Sequence, residues 1–325
     1  MDVRSRAADT PPRIVVIGAG AIGTAIAGRL AADGQDVRIV ARGARRQALE
    51  AHGVILREGG GVTRARPPVS APDQPSPHDI VILAVKSHQL AESAASLAAF
   101  AAPGALVLPL VNGVPWWFFS EQARSDLRFV LNSGDVIGDA LRDTVIVGAV
   151  VYTSATLVEG IADVVGRQHI VLGMTGPGFV PDHLRRLLDR AGIRTQISPD
   201  IRGAAWSKLM LNAASNPVSV LAQASLGQIA SDPDLFAVMM EVLEEMAALG
   251  AKLGHASPFD RDAVKGLMQA RGDFQTSMLQ DYRAGRPLEL GTLCEVPLAI
   301  ADVVGHPMPA LRCITRLARF HDQGM

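Results

Sequence analysis

Hydrophobic positions follow two different rhythms along this chain. Up to about residue 200, short apolar runs alternate with amphipathic segments. Residues 13–17, 37–40, 79–85, 105–110, 145–153 and 168–173 are apolar and β-branched runs of the length expected for buried parallel strands. Residues 54–57 and 61–66 predict two short strands around a glycine turn, and 194–197 a short last strand. Between them, 21–32, 44–53, 87–102 and 183–191 predict helices, the first ended by Gly34 and the third by Pro103-Gly104. From about Asp200 the strand-like runs stop. Segments 201–215, 217–224, 233–253, 260–269, 290–304 and 310–320 all carry helical periodicity, with Pro217 expected to break or kink the chain between the first two. The pattern predicts an α/β doubly wound domain over residues 1–199 and an all-helical domain over 200–325.

The turn after the first strand carries the most chemistry. Gly18, Gly20 and Gly23 give G-x-G-x-x-G between a strand and a helix, with a second strand following. Gly18 allows the tight bend, Gly20 lets a diphosphate approach the backbone, and Gly23 lets the helix lie close to the sheet. The N–H groups and positive dipole end of the helix then favour the anion. A glycine-rich turn in an ordinary α/β fold is the plainer reading, but strand, helix and second strand together favour a Rossmann-like dinucleotide site. Gly18, Ala19, Gly20, Ala21, Ile22 and Gly23 are its expected contacts.

An NAD site usually places Asp or Glu about 20 residues further on, against the ribose 2′-hydroxyl. Here the second strand runs into Ala41 and Arg42, with Arg45 and Arg46 behind, and Asp36 lies before the strand. A guanidinium at that place can grip a 2′-phosphate. The expected cofactor is NADP(H), with Arg42 on its phosphate and a solvated arginine loop as the alternative.

Composition narrows the field. The chain has 325 residues, 48% hydrophobic and 19% charged, with a formal net charge of −1. That balance offers no electrostatic case for binding nucleic acid or an anionic membrane. Cys294 and Cys313 have no metal-type spacing, and the eight histidines form no paired-ligand pattern, so no metal is expected. No apolar stretch reaches the length of a membrane span, and the polar start MDVRSRAADTPP lacks a secretory core. A cytoplasmic protein is expected, with disorder confined to the first dozen residues and the last few.

Three clusters suggest chemistry. Lys208, Asn212 and Asn216 stand at i, i+4 and i+8 of one helix among apolar neighbours, so they share a face. A solvated stripe is the alternative, though asparagine is a poor helix former to use twice. Lys86 and Asn112-Gly113 follow two strand ends, where ligands sit in open α/β sheets, and should face the nicotinamide half of the cofactor. Ser277, Gln280-Asp281 and Glu289 surround the turn at 285–287, and taken alone they read as capping and turn residues. Trp116, Trp117, Phe118 and Phe119 are expected as a core plug or interdomain packing rather than a pocket wall.

Taken together, the Gly18/Gly20/Gly23 loop, Lys86, Asn112-Gly113, Lys208-x3-Asn212-x3-Asn216-Pro217 and the stretch SMLQDYRAGRPLE at 277–289 resemble the ketopantoate reductase family (2-dehydropantoate 2-reductase). The resemblance covers nearly the whole chain. It implies a helical domain like the C-terminal one of 6-phosphogluconate dehydrogenase, and NADPH-dependent reduction of ketopantoate in pantothenate biosynthesis. It also implies Lys208 as general acid and Glu289 as a carboxylate of the same site. Asn112, Asn212, Asn216 and Ser277 are implied as substrate or cofactor contacts. Val114-Pro115-Trp116-Trp117 and Leu290-Gly291 depart from the family's usual residues, which leaves a related 2-oxo acid open as substrate. Another NADP-dependent hydroxyacid dehydrogenase on the same scaffold and a non-catalytic NADP(H)-sensing protein are the alternatives. The expected partner is a small 2-oxo acid, with no nucleic acid and no membrane, and a homodimer is kept open.

Overall fold

The run β1 (Ile14–Ile17) is buried at all four positions, as a strand covered on both faces must be. It lies inside an eight-stranded sheet in the computed structural model, which describes residues 11–119, 125–131 and 133–323. The chain divides into two compact units, Met1–Val111 with Ser133–Ile201, and Asn112–Asn132 with Arg202–Met325.

In the first unit β1 leads through α1 (Ala21–Ala32) to β2 (Val37–Val40), parallel to it, then to α2 (Gly43–His52). The strands β3 (Val54–Glu58), β4 (Gly61–Ala65), β5 (Val69–Ser70) and β6 (His78–Leu83) follow. After α3 (Leu90–Ala99) comes β7 (Ala101–Pro109). The helices α4 (Ser125–Val130), which falls in the second unit, and α5 (Ser133–Ala140) precede β8 (Val145–Val151), β9 (Ser154–Val158), β10 (Ile161–Val165) and β11 (His169–Met174). The unit ends with α6 (Asp182–Arg190) and β12 (Arg194–Ile197). The main sheet runs β12-β11-β8-β7-β6-β1-β2-β5, parallel except where β11 meets β8. A second sheet, β4-β3-β10-β9, joins β3 and β10 in parallel. The helix α1 lies between the two sheets: Ile26, Ala27 and Leu30 pack with the main sheet, and Ala25 packs with Leu56, Ala162 and Val164 of the second.

The second unit is helical. Its main elements are α7 (Ile201–Ala222), α8 (Leu226–Ser231), α9 (Pro233–Lys252), α10 (Arg261–Arg271), α11 (Ser277–Arg283), α12 (Val296–Val304) and α13 (Pro309–Gln323). Caps mark where they begin. Asp232 accepts from the N–H groups of Asp234 and Leu235 ahead of Pro233, and Asp260 accepts from Ala263. The start of α13 is held by Glu245, whose carboxylate accepts from Ala310 and Leu311. The core gathers Trp206, Met239, Met240, Leu243, Met246 and Leu249 around α7 and α9.

The fold class is as expected, an α/β unit followed by a helical one, but several boundaries differ. The predicted helix 87–102 is a 3-10 turn (Ser87–Gln89) followed by α3, and β7 already begins at Ala101. Pro103, which has no N–H for a ladder, sits at the irregularity where the pairing of β6 with β7 shifts register. The two helices expected at 201–215 and 217–224 are one helix that continues through Pro217. Its neighbours Ala213, Ala214, Val218 and Val220 all belong to the buried core, and that packing outweighs the one backbone bond Pro217 cannot make. The predicted helix 290–304 opens as a π-helical turn (Gly291–Glu295), where the ladder loosens ahead of Pro297. The hairpin β9–β10 and the helices α8 and α11 are absent from the sequence-based reading.

The domain division also differs. Sequence reading puts all of 1–199 in the first domain, whereas Asn112–Asn132 belongs to the helical unit. Val114, Phe118, Leu127 and Leu131 pack into that unit's core, which is the physical reason. No helix among the described residues is long and apolar enough to cross a membrane. The first ten residues and the last two, where disorder is expected, lie outside the described residues.

Candidate functional site

In the first unit the glycine loop is built by close packing. Gly18 has φ +109°, and a Cβ there would sit 2.6 Å from the carbonyl oxygen of Ala84. A Cβ on Gly23 would collide with the Gly18 carbonyl. Both glycines are therefore required by the fold itself. Gly20 is different, because a Cβ there would meet no atom within 4 Å. It is the N-cap residue of α1, whose first turn carries no acidic side chain. Open space over a backbone that starts a helix suits a diphosphate, so these residues fit a dinucleotide. Ala19, Ala21 and Ile22 lie in the same turn.

The three arginines that follow β2 are not equivalent. Arg42 is the exposed N-cap residue of α2. Arg46 pairs with Glu50 one turn on, Nε to Oε1 at 2.7 Å. Arg45 makes three hydrogen bonds inside the unit: to the carbonyl oxygens of Ala19 (3.1 Å) and Gly160 (3.2 Å), and to Oγ1 of Thr24 (2.9 Å). The Arg45 guanidinium is thus turned into the unit, and the end of β2 carries no carboxylate. Lys86 is half-buried ahead of the 3-10 turn, with its N–H donating to Oε1 of Gln89 at 3.3 Å.

In the second unit Lys208 lies on α7 beside the buried Leu209 and Met210. Its Nζ donates to Oδ1 of Asn112 at 2.8 Å. Burial pushes the ammonium down from its ordinary value of 10.5 to about 8, while the Glu289 carboxylate pulls the other way. Glu289 is only 7% exposed. The structure thus brings Lys208, Asn112 and Glu289 together from three separate stretches of chain.

The π-helical turn explains how Asn112 is held. Gly113 has φ +87°, and a Cβ on it would lie 2.6 Å from Oγ1 and 2.7 Å from the carbonyl oxygen of Thr292. That same carbonyl accepts from the N–H of Val114 at 3.2 Å. Thr292 lies in the turn that begins two residues after Glu289. One short segment therefore carries Glu289 and also seats the turn that presents Asn112. Such π-turns often mark functional sites.

Asn212 and Asn216 continue the face of Lys208, Asn212 half-buried and Asn216 4% exposed. The Asn216 carbonyl accepts from Oγ of Ser219 at 2.8 Å, and that hydroxyl also meets Oγ1 of Thr276 at 2.5 Å. Thr276 caps α11, accepting from Leu279 at 3.2 Å. Ser277 opens the same helix with an exposed side chain, so the hydroxyl tied to α7 is that of Thr276. Sequence reasoning missed Thr276, Ser219 and Thr292. Only Thr276 carried a signal, a cap-type residue three before Leu279.

The aromatic run contributes to packing. Phe118 is buried, 5.5 Å from Trp206 and 5.0 Å from His255 between ring centroids. Its carbonyl accepts from Nε of Arg202 at 2.7 Å. Among the described residues no group of three His, Cys, Asp or Glu could hold a metal ion.

Comparison with known proteins gives a consistent result. Family models for ketopantoate reductase PanE/ApbA match residues 14–177 and, for its C-terminal part, residues 200–322. The chain is 32% identical over 319 residues to the 2-dehydropantoate 2-reductase of Mesorhizobium japonicum, covering 94% of this chain and 97% of that one. A solved structure from Ralstonia solanacearum MolK2, assigned to ketopantoate reductase, has 32% identity and a TM-score of 0.88, covering 97% of this chain and 99% of the other. A PanE/ApbA family ketopantoate reductase from Ralstonia eutropha JMP134 gives 28% identity and a TM-score of 0.83, covering 96% and 99%.

Proposed function

The chain belongs to the ketopantoate reductase family of NADP(H)-dependent oxidoreductases, and on that footing we propose that it reduces the ketone of 2-dehydropantoate, or of a closely related 2-oxo acid, with Lys208 as proton donor. The observation that carries this reading is the Lys208–Asn112 hydrogen bond with Glu289 acting on the same ammonium.

The residues can do the chemistry the reaction needs. When bound, NADPH supplies a hydride to the carbonyl carbon. Negative charge then grows on the ketone oxygen, and the Lys208 ammonium stabilises it and gives up a proton from Nζ. Asn112, by accepting from Nζ, aims the donor without cancelling its charge. Glu289 favours the charged form, so the amine stays mostly protonated at neutral pH although the side chain is half-buried. Asn212, Asn216 and Ser277 offer neutral donors and acceptors for the substrate's carboxylate and hydroxyl. In the first unit, the glycine loop with Gly18 to Gly23 takes the diphosphate and Arg42 takes the 2′-phosphate, with Lys86 a further cofactor contact. A cytoplasmic location goes with this reading.

The test is NADPH oxidation by the purified protein against a panel of 2-oxo acids that includes 2-dehydropantoate. Fastest turnover with 2-dehydropantoate is the expected result. Preference for another member of the panel would move the substrate but keep the reaction. NADPH binding with no turnover of any member would favour a sensing protein instead.

A further inference from the structure

Arg45 looks from the sequence like one of three cations waiting for a phosphate. Its hydrogen bonds say otherwise. Nε reaches the Ala19 carbonyl, Nη2 reaches Thr24 Oγ1, and Nη1 reaches the Gly160 carbonyl. Thr24 is fully buried, and its hydroxyl donates onward to the Ala19 carbonyl at 3.1 Å. One carbonyl, between Gly18 and Gly20, therefore collects two donors. Gly160 belongs to the two-residue turn between β9 and β10, far away in sequence.

We propose that Arg45 is a positioning residue for the cofactor: it ties the glycine loop to the β9–β10 hairpin and so sets affinity for the dinucleotide as a whole, without reading the 2′-phosphate. The physical route is the planarity of the peptide. In a trans peptide the carbonyl of Ala19 and the N–H of Gly20 point in opposite directions across one rigid plane. Pulling the carbonyl toward Arg45 and Thr24 turns the Gly20 N–H to the other side of the loop. A planar fork with several fixed donors suits this task, and a lysine, a single point of charge, does not reproduce it. Burial works against the guanidinium charge, and the three acceptors satisfy its buried N–H groups.

Arg42 and Arg45 thus divide the labour. Arg42 discriminates between phosphorylated and unphosphorylated ribose, and Arg45 prepares the loop for either. The inference rests on the family's NADP(H) cofactor and not on which 2-oxo acid is reduced.

Calorimetry with NADPH and NADH, and with ADP-ribose and its 2′-phosphate, separates the roles. Arg45→Ala should weaken both members of each pair by the same factor, about ten- to a hundredfold for lost charge-assisted bonds. The ratio within each pair should stay at the wild-type value, and Arg45→Lys should not restore affinity. Thr24→Val, which removes one of the two donors on Ala19 and an acceptor of Arg45, should act in the same direction with smaller effect. It also serves if Arg45→Ala folds poorly. Arg42→Ala should collapse the ratio instead. Selective loss of the phosphorylated ligands in Arg45→Ala would overturn the proposal, because Arg45 would then be a phosphate ligand. Unchanged affinities with only a lowered melting temperature in both variants would overturn it as well. A wild-type chain that binds none of the four would overturn the cofactor assignment, and this proposal with it.

Discussion

Lys208 reaches Asn112 across 96 positions of sequence, Nζ to Oδ1 at 2.8 Å. A neutral acceptor orients an ammonium and leaves its charge available. Removing it should therefore shift the amine rather than silence it. In Asn112→Ala the half-buried ammonium loses a bond that only its charged form makes fully, so its pKa should fall below about 8. The alkaline fall of kcat should move to lower pH. Gly113→Ala should do the same, since φ +87° and the contact with Thr292 both oppose a side chain there. A kcat–pH profile superimposable on wild type in both variants would contradict the coupling.

The proton donor has its own signature. Reduction needs the protonated amine, so kcat should be level well below pH 8, half its plateau near the pKa of about 8, and fall about tenfold per pH unit well above it. Lys208→Ala should lower kcat by about 10²- to 10⁴-fold, roughly 3–5 kcal/mol, with little change in NADPH affinity. Arginine should rescue poorly because guanidinium scarcely gives up its proton. A near-wild-type kcat per folded molecule would remove Lys208 from the mechanism.

Cofactor choice is the third expectation. NADPH should bind at least about tenfold more tightly than NADH, and Arg42→Ala should erode most of that gap. Arg46→Ala should leave it intact, since Arg46 is held by Glu50. Equal binding of the two nucleotides by the unaltered chain would end the argument.

Gly250→Ala tests the helical core. A Cβ at Gly250 would come within 2.5 Å of Cδ1 of Trp206, a fully buried ring whose Nε1 donates to the Met246 carbonyl at 3.1 Å. Overpacking of this kind costs about 1–3 kcal/mol. Urea unfolding followed by tryptophan fluorescence should show an earlier transition. A midpoint within experimental error of wild type would mean that the ring relocates without penalty.

What could be seen in the sequence was local. Strands such as Ile14–Ile17 and His78–Leu83 announce themselves because burial on both faces demands unbroken apolar runs. The glycine loop and the Lys208–Asn212–Asn216 face also follow from spacing alone. What stayed hidden depended on partners far along the chain. Arg45 looks like Arg42 until Ala19, Thr24 and Gly160 are placed around it. The strands β9 and β10 are short and partly exposed, with weak alternation, and became strands by pairing with each other and, through β10, with β3. Pro217 looks like a break, yet the surrounding core carries the helix across it. Thr292 gives no local hint, because its importance lies in its carbonyl and in the turn it seats.

The membership of Asn112–Asn132 in the helical unit sets an order on events during synthesis. The segment emerges from the ribosome well before the helices whose core it completes, since α7 begins only at Ile201. At about 5–20 residues per second, Val114 and Phe118 wait several seconds with no core to enter. Until then the strands on either side, β7 and β8, must pair around a loop of exposed apolar side chains. The aromatic run is therefore the part of the nascent chain that most needs shielding. The helical unit made alone from residue 200 onward would lack both its plug and the acceptor for Lys208.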